Sequence, residues 1–166
     1  MIRIRRSNRK DIDAIMECYE TARQYMRANG NASQWVNGYP SRELVESDIA
    51  SGAGYVGEDE EGRPVMAFAF IIGDDPTYAD IRDGEWLDRR PYGTIHRLGS
   101  NGRQRGVLRA CVSFCLGKID NIRLDTHADN LTMQRGVEAL GFAKCGIIFC
   151  QDGTPRIAYQ LSNRKS

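Results

Sequence analysis

The sequence predicts a single α/β domain, in which a mixed sheet of six to seven strands is flanked by about four helices. Three observations favour this fold class. The 166 residues fit one compact domain, and hydrophobic and charged residues make up 41% and 27% of them, as in ordinary globular proteins. Segments with the periodicities of strands and helices alternate along residues 1–166, and a strand–helix–strand order in the second half predicts a parallel crossover.

Seven segments have the alternation or the apolar runs that are typical of strands. These segments are residues 2–5, 54–56, 64–72, 92–98, 122–126, 145–150 and 156–161. The polar segment 73–90 separates the third strand from the fourth and is rich in glycine and aspartate, so it predicts a long loop with one helical turn near Tyr78. Loops of this length in small domains are more often functional than idle.

Four segments with apolar residues at helical spacing lie between these strands, and three of them begin at a recognisable cap. Asn8 stands three positions before Asp11, which approximates a capping box at the first helix. Ser41 follows a proline and is suited to cap the second helix, and Asp129 or Asn130 caps the fourth.

Charge and cysteine content narrow the classes of function. The 23 basic and 22 acidic side chains leave a net charge of +1, which predicts no nucleic-acid partner. No apolar run approaches the roughly 20 residues of a membrane helix, so we expect no membrane association. The 5 cysteines are odd in number and form no CxxC pair, which argues against a disulfide framework and a structural metal. We therefore expect a cytoplasmic protein without a bound metal.

The segment Arg103-Gln104-Arg105-Gly106-Val107 lies between a predicted strand and a predicted helix. Glycine lets the backbone approach a ligand closely, and the first amides of a helix have no partner within the helix. These donors, together with the positive end of the helix dipole, suit a pyrophosphate, and the two arginines add positive charge. An ordinary surface helix could begin with the same residues, so the segment by itself leaves both interpretations open.

The spacing of residues within this segment, and of Asn130 from a later Gly-Phe pair, favours the phosphate-binding interpretation. The phosphate loop of the GNAT superfamily, the Gcn5-related N-acetyltransferases, reads Arg/Gln-x-x-Gly-x-Gly/Ala. Arg103 and Gly106 match this pattern, whereas Leu108 departs from its small last residue. The family also has an asparagine that is followed eleven and twelve positions later by Gly-Phe, as Asn130 is here. Residues 92–161 thus resemble the core of this family.

This resemblance implies the GNAT acyl-CoA N-acyltransferase fold, with acetyl-CoA as the co-substrate. In that fold the fourth and fifth strands splay apart, the pantetheine arm lies between them, and the backbone amide near Leu98 polarises the thioester carbonyl. The implied cofactor-binding residues are Leu98, Arg103, Gln104, Arg105, Gly106, Val107, Leu108, Asn130 and Met133. With leucine at position 108, a phosphate cannot approach the backbone as closely as it could at a glycine. Pyrophosphate contact is therefore expected to depend on Gly106.

Acetyl transfer to an amine benefits from a base, because an amine with a pKa of about 10 is protonated at neutral pH. His96 is the first candidate, since it shares the strand parity of Tyr92 and Thr94 and histidine titrates near neutral pH. The alternative is a histidine that is hydrogen-bonded within the core. His127 directly follows the fifth strand, where a catalytic role and a structural role in the loop are both open.

Asp125 is the third catalytic candidate. It stands five positions before Asn130, where members of the family that acetylate ribosomal proteins carry a glutamate base. Aspartate is one methylene shorter, so a bridging water would be required, and a salt bridge to Arg123 or Arg97 is the alternative. The family's usual acid, a tyrosine seven positions after the asparagine, is replaced by Val137.

Trp35 and Tyr39 lie among turn-forming residues between the first two helices, a connection that usually lines the acceptor pocket in this family. They are the predicted substrate-binding residues, although packing of the loop on the core would explain them equally well. The predicted function is direct acetyl transfer to an amine of a small molecule or a protein. A catalytically weak acyl-CoA-binding regulatory domain is the alternative, and exposed strand edges leave a homodimer open.

Overall fold

The computed structural model describes residues 1–163, which form one seven-stranded mixed sheet with four α-helices. The strands are β1 (Arg3–Arg6), β2 (Gly54–Glu58), β3 (Pro64–Ile72), β4 (Gly93–Ser100), β5 (Asn121–Thr126), β6 (Ala143–Phe149) and β7 (Pro155–Ser162). The helices are α1 (Ile12–Ala28), α2 (Arg42–Ser51), α3 (Val107–Leu116) and α4 (Leu131–Ala139). This order of elements, and the mixed sheet with its helices, confirm the predicted fold class.

Side-chain caps lie at the helix N-termini that the sequence predicts. The carboxylate of Asp11 accepts the amide N–H of Asn8 at 2.8 Å, and the Asn8 side chain caps in return, which completes the capping box at a short helical turn leading into α1. Ser41 Oγ accepts an amide N–H of the first turn of α2 at 3.1 Å. The side chain of Asn130 does the same for α4 at 3.1 Å, so Asn130 and not Asp129 is that cap.

The sheet has helices on both faces. Its strand order is β1-β2-β3-β4-β5-β7-β6, and only β4 and β5 pair in parallel, through the crossover that contains α3. One core cluster joins α1 and α2 to β2 and β3, and a larger one joins α3 and α4 to the middle of the sheet. The fully buried members of the larger cluster include Met66, Phe68, Ile122, Val137 and Tyr159.

The connection between β3 and β4, residues 73–92, covers part of the sheet and is called the covering loop below. Its Tyr78 and Tyr92 are buried and pack with Ile148 of β6 and Ala158 of β7. The small side chain of Ala158 leaves space for the tyrosine rings above it. The long polar segment thus lies against the sheet face that β5, β6 and β7 share.

Buried polar groups of the sheet hold the covering loop in place. The guanidinium of Arg123 lies 4.1 Å from the ring centroid of Trp86 and 3.9 Å from that of Tyr92. Its Nη2 atom donates to the carbonyl of Asp88 at 3.0 Å. The carboxylate of Asp88 in turn accepts a 3.2 Å hydrogen bond from Gln160 Nε2. Without the loop, Arg123 would lose this acceptor and both aromatic rings, and Gln160 would keep its 2.8 Å hydrogen bond to Asn121 Oδ1 but lose the one to Asp88, so loop and sheet stabilise each other.

β4 and β5 separate soon after they meet. Their parallel ladder consists of Gly93 with Ile122 and Thr94 with Arg123. β4 then continues to Ser100 without further pairing to β5, while β5 stays paired with β7 as far as Thr126. The register of β4 against β3 shifts next to Arg97, which has a φ of 45°. Such a bulge bends and twists a strand, so β4 turns away from β5, as the resemblance implies.

Ile122→Ala is expected to lower the free energy of unfolding by about 2–5 kcal/mol, because Ile122 is fully buried and its truncation leaves a cavity. Ile72→Ala is the matched control, since Ile72 is 53% exposed at the end of β3. Its expected cost is below about 0.5 kcal/mol. Chemical denaturation measures both values, and equal losses in the two variants would contradict the central position of β5 in the core.

Candidate active site

A cleft opens where β4 and β5 separate. It contains two adjoining cavities with volumes of 340 Å³ and 50 Å³. The residues that line both are Met26, Leu98, Leu108, Asn130 and Met133. The larger cavity runs along α1 to Gly102 and the start of α3, and the smaller one reaches Gln34, Trp35 and Asp125. The structure therefore brings Trp35 together with part of the predicted cofactor set, namely Leu98, Val107, Leu108, Asn130 and Met133. Gln104, Arg105 and Gly106 instead line a neighbouring cavity of 520 Å³ beside β1, and Tyr39 lines none of the three.

The loop before α3 presents a row of free backbone donors. Gly106 is the N-cap of α3, has a φ of 78° and provides no side-chain cap. The first helical hydrogen bond runs from the amide of Ala110 to the carbonyl of Gly106, and no amide of residues 104–109 has a partner within residues 1–163. Arg103 and Arg105 are exposed beside these amides. The loop is thus suited to bind an anion.

Leu108 departs from the small residue of the resembled motif, and α4 compensates for its size. A Cβ atom at Gly136 would come within 2.7 Å of Leu108 Cδ2, so the leucine side chain lies against the bare backbone of α4. The leucine therefore fills space between the two helices and lines the cavities there.

Asp125 lies at the divergent end of β5 and lines the smaller cavity. The hydroxyl of Tyr78 in the covering loop donates a 2.7 Å hydrogen bond to Asp125 Oδ2. Burial raises the pKa of Asp125, against the lowering effects of the Tyr78 hydrogen bond and of the charges of His96 and Arg156. Burial also raises the pKa of Tyr78 well above its ordinary value, so the phenol stays protonated as a donor.

The salt bridge from Asp125 to Arg97 or Arg123, left open by the sequence, does not form. Arg97 instead binds Asp48 through hydrogen bonds of 2.8 and 2.6 Å, and Arg123 is held between two aromatic rings. Within residues 1–163, Asp125 forms no ion pair and its hydrogen-bond partner is a neutral hydroxyl. Its carboxylate therefore faces the cavity without a cation to neutralise it.

His96 faces Asp125 across the divergence of the two strands. Thr94 pairs with Arg123, so the residues two positions further along each strand lie on the same face of the sheet. The Nε2 atom of His96 is 3.3 Å from Asp75 Oδ2 in the covering loop. This hydrogen bond is the largest of the effects that lower the pKa of Asp75 to about 2. The structure places His96 beside the two cavities, where it lines neither.

His127 closes the turn between β5 and α4. Its Nδ1 atom accepts the amide N–H of Asp129 at 2.9 Å, so the proton of the neutral imidazole is assigned to Nε2. The carbonyl of His127 accepts a 3.3 Å hydrogen bond from Gln134 Nε2. These contacts give His127 a structural role in the turn, next to the cap of α4.

Gln34 begins the connection, residues 34–40, that the sequence indicates as an acceptor site, and the structure shows what its side chain does there. Its Oε1 atom accepts hydrogen bonds of 3.0–3.3 Å from the side chains of Asn31, Thr126 and Asn130 and from the amide of His127. This oxygen joins the connection between α1 and α2 to the end of β5 and to the cap of α4. A glutamine in a polar loop has no periodicity or motif, so its partners become visible only in the folded chain.

Trp35 and Tyr39 occupy different positions. Trp35 is 9% exposed, packs edge-on against Tyr19 with ring centroids 5.5 Å apart, and lines the smaller cavity. Tyr39 is 39% exposed, and its hydroxyl is 3.5 Å from Nη1 of Arg97, which lines the same cavity. Trp35 therefore both packs the loop on the core and forms part of the cleft wall.

The position of the family's usual acid is filled by Val137, which is fully buried in the larger core cluster. Tyr159 belongs to the same cluster, and its hydroxyl contacts Glu138 Oε2 at 3.4 Å. The neighbour of Tyr159 in β7, and not Tyr159 itself, pairs with Asp125, so the two side chains lie on opposite faces of the sheet. Among the tyrosines of the N-terminal half, Tyr25 lines the larger cavity.

Two further features of residues 1–163 concern metals and membranes. No three His, Cys, Asp or Glu side chains in this range come together as a metal site would require. None of its helices combines the length and the apolar character needed to cross a membrane. All 5 cysteines are free thiols.

Solved structures that resemble this chain match it over nearly its whole length. A GNAT family acetyltransferase of Streptococcus agalactiae 2603 is 33% identical with a TM-score of 0.88, and the match covers 99% of this chain and 96% of that one. A GNAT family acetyltransferase of Listeria monocytogenes 4b F2365 is 18% identical with a TM-score of 0.69, over 96% and 93% of the two chains. The NatC complex bound to Gag peptide and CoA is 16% identical with a TM-score of 0.56, over 97% and 98%. No protein-family model and no curated protein sequence matches the chain.

Asp75→Asn is expected to change how stability depends on pH. A carboxyl whose pKa is about 2, below the ordinary 3.8, stabilises the fold fully above pH 4 and loses this contribution as the pH falls towards 2. The contribution amounts to about 2 kcal/mol. The difference in free energy of unfolding between the parent protein and Asp75→Asn should therefore shrink by about that amount between about pH 5 and pH 2. A constant difference, measured by urea denaturation, would contradict the pairing with His96.

Proposed function

The chain belongs to the GNAT family of acetyltransferases, and we propose that it transfers an acetyl group from acetyl-CoA directly to an amine. One observation supports this most strongly. Free backbone amides before α3 lead into a cleft that ends at Asp125, a carboxylate without an ion-pair partner among residues 1–163. An anionic donor molecule and a cationic acceptor thus each find complementary groups, at opposite ends of one passage.

The loop before α3 suits the pyrophosphate of coenzyme A. The amides of residues 104–109 supply several N–H donors, and Arg103 and Arg105 add positive charge. Gly106 carries no side chain that would obstruct an approaching phosphate. The NatC complex, which has this fold and is bound to CoA, supports the same donor molecule here.

The divergence of β4 and β5 suits the pantetheine arm. The backbone of residues 95–100 has no β5 partner, so its polar groups on that side are free to pair with the amides of the arm. The larger cavity, with Leu98, Asn130 and Met133 in its wall, has the position required for the arm between the loop and Asp125. The backbone N–H of Leu98, next to the bulge of β4, would donate to the thioester carbonyl and stabilise the developing negative charge.

The thioester supplies an acyl carbon that an amine nitrogen attacks. The amine arrives protonated at neutral pH, so a proton must leave the nitrogen before the N–C bond forms. Asp125 accepts this proton, directly or through one water, because its carboxylate lines the smaller cavity. Tyr78 positions the carboxylate through its 2.7 Å hydrogen bond. Burial raises the pKa of Asp125 and so makes it a stronger base.

The C–S bond then breaks, and the sulfur takes up a proton. The attacking nitrogen loses its second proton as the amide forms, and because Val137 offers no hydroxyl for this step, water in the cleft relays a proton to the sulfur. His96 lies across the cleft from Asp125, and its positive charge, when present, lowers the pKa of that carboxyl. Asp75 holds the imidazole in place through its 3.3 Å contact with Nε2.

A catalytically weak acyl-CoA-binding domain is the second candidate, suggested by Leu108 and Val137. Gly136 accommodates Leu108, which removes one of these two reasons. Acetyl-CoA-dependent thiol release with a panel of amines distinguishes the two functions, since binding of CoA without any release would favour the regulatory domain. The acceptor amine belongs to a small molecule or a protein, and the free cysteines fit a cytoplasmic location. A homodimer through an exposed strand edge stays a prediction.

Gly106→Glu is expected to raise the KM for acetyl-CoA at least about tenfold, because it places a carboxylate among the donors of the loop. Gly62→Glu is the matched control. Gly62 has a φ of 80° in the β2–β3 turn, close to the 78° of Gly106, and neither glycine has an atom within 4 Å of an added Cβ. The backbone strain is thus similar in both variants. An unchanged KM in Gly106→Glu would remove this loop from the cofactor site.

Asp125→Asn is expected to lower kcat by about 100- to 10,000-fold at neutral pH, with partial recovery at high pH where the amine loses its proton unaided. The affinity for CoA, measured by titration calorimetry, should stay unchanged. His96→Gln removes the other predicted base and is expected to change the rate at neutral pH much less than Asp125→Asn does.

Asp152→Asn in the exposed β6–β7 turn is the control for the loss of one carboxylate. A pH–rate profile of Asp125→Asn that coincides with that of the parent protein would remove Asp125 as the base. A larger loss in His96→Gln than in Asp125→Asn would assign the base to His96 instead.

A further inference from the structure

We propose that Arg156 binds a carboxylate of the acceptor, so that the acceptor is an amine of the amino-acid class, which carries its own carboxylate. This inference rests on the proposed acetyl transfer and names the substrate class of the same site. It starts from the position of Arg156 relative to Asp125.

Arg156 and Asp125 lie on the same face of the sheet. Asp125 pairs with Ala158 in the antiparallel β5–β7 ladder, and Arg156 stands two residues from Ala158 along β7. Such diagonal neighbours have Cα atoms about 7–8 Å apart, with side chains that point to the same side. The charge of Arg156 acts on Asp125, because it is one of the effects that lower the pKa of that carboxyl.

Arg156 is a buried cation without a buried anion. It is only 8% exposed, yet no carboxylate of residues 1–163 lies within the 4.0 Å of an ion pair. Its hydrogen bonds go to neutral oxygens: Nη1 donates to Pro155 O at 2.8 Å and to Thr154 Oγ1 at 3.2 Å, and Nη2 donates to Gln34 O at 3.4 Å. The Nε–H and the second Nη2 hydrogen have no partner in this range.

The other arginines with small exposed fractions have their charge compensated. Arg97 is paired with Asp48 through two hydrogen bonds, and Arg123 lies between two aromatic rings. The two carboxylates that sense the charge of Arg156 are Asp125 and Asp152. Asp152 is engaged by Thr154, so no carboxylate of residues 1–163 pairs with Arg156 and its remaining N–H donors are free for an incoming anion.

The guanidinium contacts the wall of the smaller cavity without lining the cavity itself. Its Nη2 atom contacts the carbonyl of Gln34, and the side chain of Gln34 lines the smaller cavity together with Asp125 and Trp35. A planar guanidinium binds a carboxylate through two parallel N–H···O bonds. An amino acid could therefore place its amine at Asp125 and its carboxylate at Arg156, with the two opposite charges of the acceptor meeting the two opposite charges of the site.

The test compares each proteinogenic amino acid with its carboxamide as acceptor, by thiol release from acetyl-CoA. The amine of the amide is the less basic of the two, so a preference for the acid cannot come from easier loss of its proton. The parent protein should show a kcat/KM for its preferred amino acid that exceeds that for the amide by roughly tenfold to hundredfold, the value of a hydrogen bond to a charged group. Arg156→Met should abolish this preference, mainly through a higher KM for the amino acid.

Arg9→Met is the matched control, because Arg9 is exposed at the turn before α1, and it should keep the preference. Arg156→Lys retains the charge and should retain part of the preference. Thermal unfolding and CoA titration of each variant establish that the fold and the donor site are intact. A purely structural role for Arg156 would lower kcat/KM for acids and amides equally, and that result overturns the inference.

The remaining outcomes separate this inference from the proposed function. Thiol release that is as fast with amides or uncharged amines as with amino acids would keep the transferase and overturn the role of Arg156. Binding of CoA without thiol release for any amine, peptides and polyamines included, would overturn both.

Discussion

The short parallel ladder between β4 and β5 is the constraint on which the site depends. Two strands that stayed paired along their length would leave no space for a ligand and no free backbone groups. Here the ladder stops at Thr94, and the bulge at Arg97 turns β4 away while β7 holds β5 in the sheet. The cleft is therefore a break in hydrogen bonding that the chain tolerates in the middle of its sheet. The backbone N–H and C=O groups of β4 that lack a β5 partner there are able to pair with a ligand that carries amide groups.

The covering loop turns this break into an asymmetric site. On its side of the sheet, Tyr78 holds Asp125 and Asp75 holds His96, so both titratable groups of the strands take their partners from one connection. The face beside α3 and α4 is apolar by contrast. The same loop packs aromatic rings on Arg123 and so keeps its polar residues ordered. The cleft is therefore bordered by polar and titratable side chains on one face of the sheet and by apolar side chains on the other.

The features that the sequence predicts well are those that depend on neighbouring residues. The caps at Ser41 and Asn130, and the glycine turn at Gly106, follow from local rules of helix geometry and are present as expected. Contacts between distant segments could not be foreseen. The partner of Asp125 comes from a loop whose polar composition resembles any surface connection, and Gln34 has no motif at all. The spacing of the motif residues predicts where the site residues lie in the sequence. The hydrogen-bond partners of each side chain depend on how the loops pack on the sheet, which the sequence does not indicate.

The oxygen of Gln34 has a mechanical consequence. A carbonyl oxygen has two lone pairs, yet this one is shared among donors from its own loop, from the end of β5 and from the N-terminus of α4. None of these segments is able to shift without stretching a bond that the others also use. The connection between α1 and α2, the end of β5 and the N-terminus of α4 are therefore tied at a single atom, so a displacement of one segment is expected to strain the other two.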